Sequence, residues 1–188
     1  MEETLEAFAS LVKSGKARAV GASNFSAPRL AEALATARAE GVPLYSCLQP
    51  HYSLVTRAFY EGELQALCLK EELGVLPFRP LEAGFLTGKY RSMADTVGKP
   101  RGPLVARILD DRSLDILGEL DGAAQRLDAT PTQVAIAWLL AQPGVTAPIV
   151  SVTGLAQLEE VCGGGDAGAR RQELEAAHAR QRLTPEAP

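Results

Sequence analysis

The chain has 188 residues, 46% of them hydrophobic, and a formal net charge of −4. That size and composition suit one ordinary domain with a buried core, and the acidic balance excludes the electrostatic footprint of a nucleic-acid or anionic-membrane binder. Apolar runs are short and two glutamates follow Met1, so neither a signal peptide nor a membrane-spanning helix is expected. Cys47, Cys68 and Cys162 lie far apart without a CxxC pair, which fits a reducing cytoplasm and argues against a disulfide framework or a metal site.

In chain order, residues 3–13 carry Leu5, Phe8, Leu11 and Val12 at helical spacing, with Gly15 as a stop. A β-like run at 17–22 ends beside Gly21. Ser26 is then placed to cap a helix over 27–41, with Pro28 tolerated in its first turn. A strand at 45–49, a helix at 63–74 closed by Gly74, and a strand at 75–78 follow. Residues 91–103, "RSMADTVGKPRGP", are rich in Gly, Pro and charge and read as a mobile surface excursion. Helices are expected at 112–127 and at 131–142, the second capped by Thr130 with Pro131 in its first position. A strand at 147–151 and a short helix at 155–161 come next. The glycines at 163–165 read as a break before a charged tail helix.

Strands separated by single helices need parallel crossovers, so the fold class is α/β with a parallel sheet. Polar or glycine-rich residues cluster after each strand: "SNF", "QPHY", "RPLEAG" and "SVTG". That edge is where α/β folds bind ligands. Taken singly, Ser23-Asn24 is a strand-ending turn, Gln49 a strand-end amide and Phe78 a core aromatic; only their joint register points to a ligand. His51 has no Cys or Asp beside it and reads as a partly buried, satisfied histidine, and Trp138 as core.

These four strand ends, in this order, resemble the aldo-keto reductase family, in particular its bacterial branch, which also resembles the potassium-channel β-subunits. The resemblance is carried by "GKARAVGASNFS", "LQPHYSLVTR", "GVLPFRPLEAGFLTGKY" and "TPTQVAIAWLLAQPGVTAPIVSVTGLAQLEE". It implies that residues 1–161 form the second half, strands five to eight, of a TIM-type (β/α)8 barrel, and that 162–188 is an atypical charged tail. It also implies an NADP(H) cofactor lying across the C-terminal ends of the strands. Ser23, Asn24 and Gln49 would bind the nicotinamide carboxamide, and Phe78 would stack on the nicotinamide ring. The loop from Arg79 to Lys89, with Pro80, Leu81 and Gly84, would wrap the pyrophosphate. Thr153, Gln157 and Glu160 would surround the 2′-phosphate and adenine.

Three positions depart from the family's pattern. Arg79 stands where a serine is usual, and Glu82 where a small residue is usual. A carboxylate near a pyrophosphate would repel it, so Arg79 is expected to neutralise Glu82 or to contact phosphate itself. Val161 replaces an adenine-side asparagine. The family's Tyr, Lys, Asp and His, which carry out carbonyl reduction, belong to the other half of the barrel. None of Tyr45, Tyr52, Tyr60 and Tyr90 has a matching set around it.

The chain alone is therefore expected to be inactive, with no catalytic residues of its own. A carbonyl substrate would bind only once a first-half barrel completes the site. Exposed strand edges are expected to drive self-association or partner binding. The alternative is a non-catalytic NADP(H)-binding or interaction module.

Overall fold

A computed structural model describes residues 1–167. The expected tail helix lies outside the described residues. Helix α1 (Glu2–Lys13) leads to strand β1 (Gly21–Ser23) and helix α2 (Ala27–Ala39). Strand β2 (Cys47–Gln49), helix α3 (Glu63–Lys70) and strand β3 (Gly74–Val75) follow. After an irregular stretch come α4 (Gly102–Val105), α5 (Asp111–Leu127), α6 (Pro131–Leu140) and α7 (Leu155–Ala167).

The strands pair in parallel in the order β1-β2-β3, with Gly21 opposite Cys47 and Leu48 opposite Val75. Segment 145–149 adds a fourth parallel run beside β3 through bridges at Val75–Val145 and Phe78–Ile149. Three of the four expected strands thus form, β1 shifted towards its C-terminal end and β2 and β3 short, while the expected strand at 147–151 is reduced to isolated bridges at Val145 and Ile149. Helix α3 ends before Gly74 because that glycine opens β3. A side chain at Gly74 would meet Thr146 Oγ1 at 3.1 Å, so the close approach of the fourth run explains the residue.

One face of the sheet is closed. Ala22, Leu48 and Val75 point into a core shared with Leu30 and Leu34 of α2, Cys68 of α3, and Trp138 and Leu139 of α6. The alternate positions are open: Gly21, Ser23, Thr146 and Ile149 are exposed, and Cys47 and Gln49 half-exposed. Parallel sheets are ordinarily covered on both faces.

Helix α6 forms as its sequence demands. Thr130 Oγ1 accepts from Gln133 N at 3.2 Å, Gln133 Oε1 accepts from Thr130 N at 3.0 Å, and Pro131 occupies the first helical position. Ser26 stands at the N-cap of α2 but makes no side-chain capping bond.

Two expectations fail. The glycines at 163–165 do not break the chain; α7 runs through them. A Cβ on Gly163 would lie 2.5 Å from Gln133 Nε2, and one on Gly164 would lie 2.9 Å from Ile136 Cβ. The missing side chains let α7 lie close on α6, and that packing outweighs their poor helix propensity.

The 91–103 stretch is also folded rather than loose. Asp95 accepts from the Ser92 and Arg91 amides at 2.8 Å, Arg91 pairs with Asp121 on α5, and Gly102 packs on the Thr96 backbone.

Candidate functional site

At the C-terminal ends of β3 and the fourth run lies a cavity of about 390 Å³. Arg79, Pro80, Leu81, Gly84 and Lys89 reach it from the loop after β3, and Gln157 and Glu160 from α7. The folded excursion adds Arg101 and Leu104, and α6 adds Thr132. Three exposed cations thus face one carboxylate, in a chain whose net charge is negative. Among the described residues no cluster of His, Cys, Asp and Glu could hold a metal ion.

The loop after β3 is held in an unusual backbone conformation. Arg79, Glu82 and Ala83 have φ of 54°, 45° and 56°, in the left-handed region that non-glycine residues rarely adopt. Gly84 follows at φ 95°, and a Cβ there would lie 2.8 Å from Lys89 Nζ. The lysine ammonium therefore sits directly over the backbone. Such strain persists only where neighbouring contacts enforce it.

The contact that enforces it is Glu82. The expectation that its carboxylate would face a pyrophosphate, balanced by Arg79, is overturned. Glu82 is 3% exposed; its Oε1 lies 2.8 Å from His51 Nε2 and accepts the Ser53 hydroxyl. Burial alone would raise its pKa, but the hydrogen bonds from His51 and Ser53 more than reverse this and hold it below the usual carboxylate range. Arg79 is left exposed at the cavity. Nothing in the sequence joins positions 51 and 82, 31 residues apart; only the strand register does.

His51 in turn stacks on Phe78, with ring centroids 5.2 Å apart and planes 25° from parallel, and the two residues form a parallel bridge. Phe78 is half-exposed and lies beside the cavity rather than in its wall. Across the sheet, Ser23 Oγ donates to Gln49 O at 3.0 Å, and Asn24 Nδ2 donates to Ser23 Oγ at 3.1 Å. Asn24 has φ 56°, which its type tolerates. Ser23 and Asn24 thus gather on the Gln49 backbone carbonyl at the strand ends, separate from the cavity lining.

Thr153 contacts Gln157 instead. Its amide and hydroxyl donate to Gln157 Oε1 at 2.9 and 3.1 Å, which closes the first turn of α7. Sequence reading missed Arg101, Leu104 and Thr132. A signal was present for the first two, since Ser92 and Asp95 stand at the spacing of a capping box and mark an ordered turn.

The four tyrosines are all buried. Burial pushes Tyr45, Tyr52 and Tyr60 above their ordinary pKa, and the hydrogen bond to Glu61 pushes Tyr52 further. A general acid needs the opposite shift to work near neutral pH.

The aldo/keto reductase family model matches residues 1–173. The chain belongs to the aldo/keto reductase family. It is 34% identical over 167 residues to the L-glyceraldehyde 3-phosphate reductase of Escherichia coli K12, a match covering 85% of this chain and 48% of that protein. It is 30% identical over 171 residues to a putative voltage-gated potassium channel subunit beta of Schizosaccharomyces pombe, covering 85% and 48%. The aldo-keto reductase str7 of Strobilurus tenacellus is 31% identical over 181 residues, covering 94% and 52%. The chain spans about half the length of these relatives.

Proposed function

We propose that this chain is the cofactor-holding half of an NADP(H)-dependent carbonyl reductase. The observation that carries this reading is the cavity itself, where Arg79, Lys89 and Arg101 converge beside the loop after β3, with the Lys89 ammonium laid over the backbone at Gly84. Convergent guanidinium and ammonium groups suit phosphates. Phe78, fixed from one side by His51, offers its other face to a planar ring, and the Ser23 and Asn24 pair at the end of β1, beside Gln49, suits a carboxamide.

The cofactor supplies a hydride when bound. The residues here bind and orient it. The tyrosines are poorly suited to supply the proton for the carbonyl oxygen, because all are buried and those with shifted pKa move in the wrong direction. This supports a chain inactive until completed by the remaining βα units of a (β/α)8 barrel.

Those units would also cover the open sheet face and pair the free edges of β1 and segment 145–149. The isolated 188-residue chain is therefore expected to self-associate. Light scattering that gives a monodisperse monomer at micromolar concentration would count against this.

The buried tyrosines also favour a second reading, a non-catalytic NADP(H)-binding or interaction module. The name of the channel-subunit relative is in keeping with it.

Titration with NADPH, followed by nicotinamide fluorescence, tests the cofactor reading. Saturable binding is expected, weakened about tenfold in Phe78→Ala through loss of stacking and buried area. Absence of binding to millimolar NADPH would reject it.

A further inference from the structure

Thr132 is the second residue of α6 and part of the cavity wall. It is 2% exposed, and its hydroxyl has no hydrogen-bond partner. Buried hydroxyls are nearly always partnered, so an orphan calls for a reason. Its neighbours Thr130 and Gln133 satisfy each other in the capping box and leave nothing for it. Helix formation does not explain the residue either, since a β-branched side chain is slightly worse there than alanine. Threonine divides between two χ1 rotamers in a helix. A rotation about χ1 redirects the hydroxyl without disturbing the backbone.

The place suits an anion. Thr132 sits in the first turn of a ten-residue helix, where the backbone dipole favours negative charge. Lys89 and Arg101 line the same cavity.

We propose that the Thr132 hydroxyl donates to a phosphate oxygen of the ligand in this cavity, so that binding satisfies a group the unliganded protein leaves unpaired. The proposal rests on the dinucleotide reading above and adds a ligand-contacting residue to it.

The test compares Thr132→Val, which keeps the shape and removes the hydroxyl, with Thr132→Ser, which keeps the hydroxyl. Thr132→Val is expected to raise the melting temperature of the unliganded chain and to weaken NADPH binding about fivefold, the worth of one ordinary hydrogen bond. Thr132→Ser should bind within about twofold of the parent. A merely structural threonine would not move stability and affinity in opposite directions. The proposal is overturned if Thr132→Val binds as tightly as the parent, or if both variants lose stability and affinity together.

Should the parent bind no NADPH, the dinucleotide reading fails, and titration of the same proteins with inorganic pyrophosphate decides the hydroxyl separately. Weaker binding by Thr132→Val alone supports the contact. Equal affinities, or no binding by any of them, overturn it.

Discussion

Replacing Glu82 by alanine is expected to cost about 2–3 kcal/mol of folding stability at pH 7. Removing one partner of a fully buried pair typically costs about 3–5 kcal/mol. The figure is lower here because the His51 side chain keeps 26% of its surface exposed and can be rehydrated. The carboxylate also holds the Ser53 hydroxyl, within a loop where Arg79, Glu82 itself and Ala83 are left-handed. Without it the backbone from Arg79 to Ala83 loses its reason to stay strained.

The pH dependence follows from the lowered pKa of Glu82. A carboxyl whose folded pKa is depressed contributes stability that is fully present above its unfolded pKa, roughly 4.3 for glutamate. That contribution is lost as pH falls through the lower folded value. The stability gap between parent and Glu82→Ala in urea unfolding should therefore be widest near neutrality and shrink in acid. A gap below about 1 kcal/mol, or one that does not change with pH, would reject Glu82 as the loop's anchor. Because His51 stacks on Phe78, the variant should also loosen the aromatic platform and weaken NADPH binding.

How far these features could be read in advance depended on the range of the interactions behind them. The parallel α/β class was legible because short apolar runs alternate with helical periodicity, and α6 because its cap and proline are local signals. Seven of the expected cofactor residues (Arg79, Pro80, Leu81, Gly84, Lys89, Gln157 and Glu160) gather at one cavity. Gly163 and Gly164 misled because helix propensity is a local preference, whereas the surface of α6 against which they pack is a tertiary one. Glu82 misled for the same reason. Its charge suggested the loop, but its partners lie on the segment after β2, and only folding brings them within hydrogen-bonding distance. Arg101 was hidden in a segment whose Gly, Pro and charge content resembles disorder, though Ser92 and Asp95 already encode its turn.

That turn yields the other large effect. Gly102→Ala is expected to open the 91–106 excursion, because a Cβ at Gly102 would lie 1.9 Å from the Thr96 carbonyl oxygen and 2.9 Å from its carbonyl carbon. These are backbone atoms, so no change of rotamer relieves the clash, and the cost is about 3 kcal/mol, at the upper end for overpacking. Because Thr96 and Gly102 both lie within the excursion, the clash is relieved by local opening from Thr96 onward, while Arg91 with Asp121 and the Ser92 turn tie down its start. Local opening caps the loss. Amides in the excursion should exchange faster while those of α2 and α6 stay protected. Arg101 would leave the cavity, and NADPH affinity should fall about tenfold, equivalent to about 1.4 kcal/mol. Gly118→Ala is the matched control. Gly118 lies within α5, and a Cβ there would have no heavy atom within 4 Å outside its own helical surroundings. The same chemical change should therefore stabilise the chain by about 0.5–1 kcal/mol. Unchanged affinity in Gly102→Ala would show that the excursion does not hold the ligand, and loss of protection throughout the chain would show that it is not a separable unit.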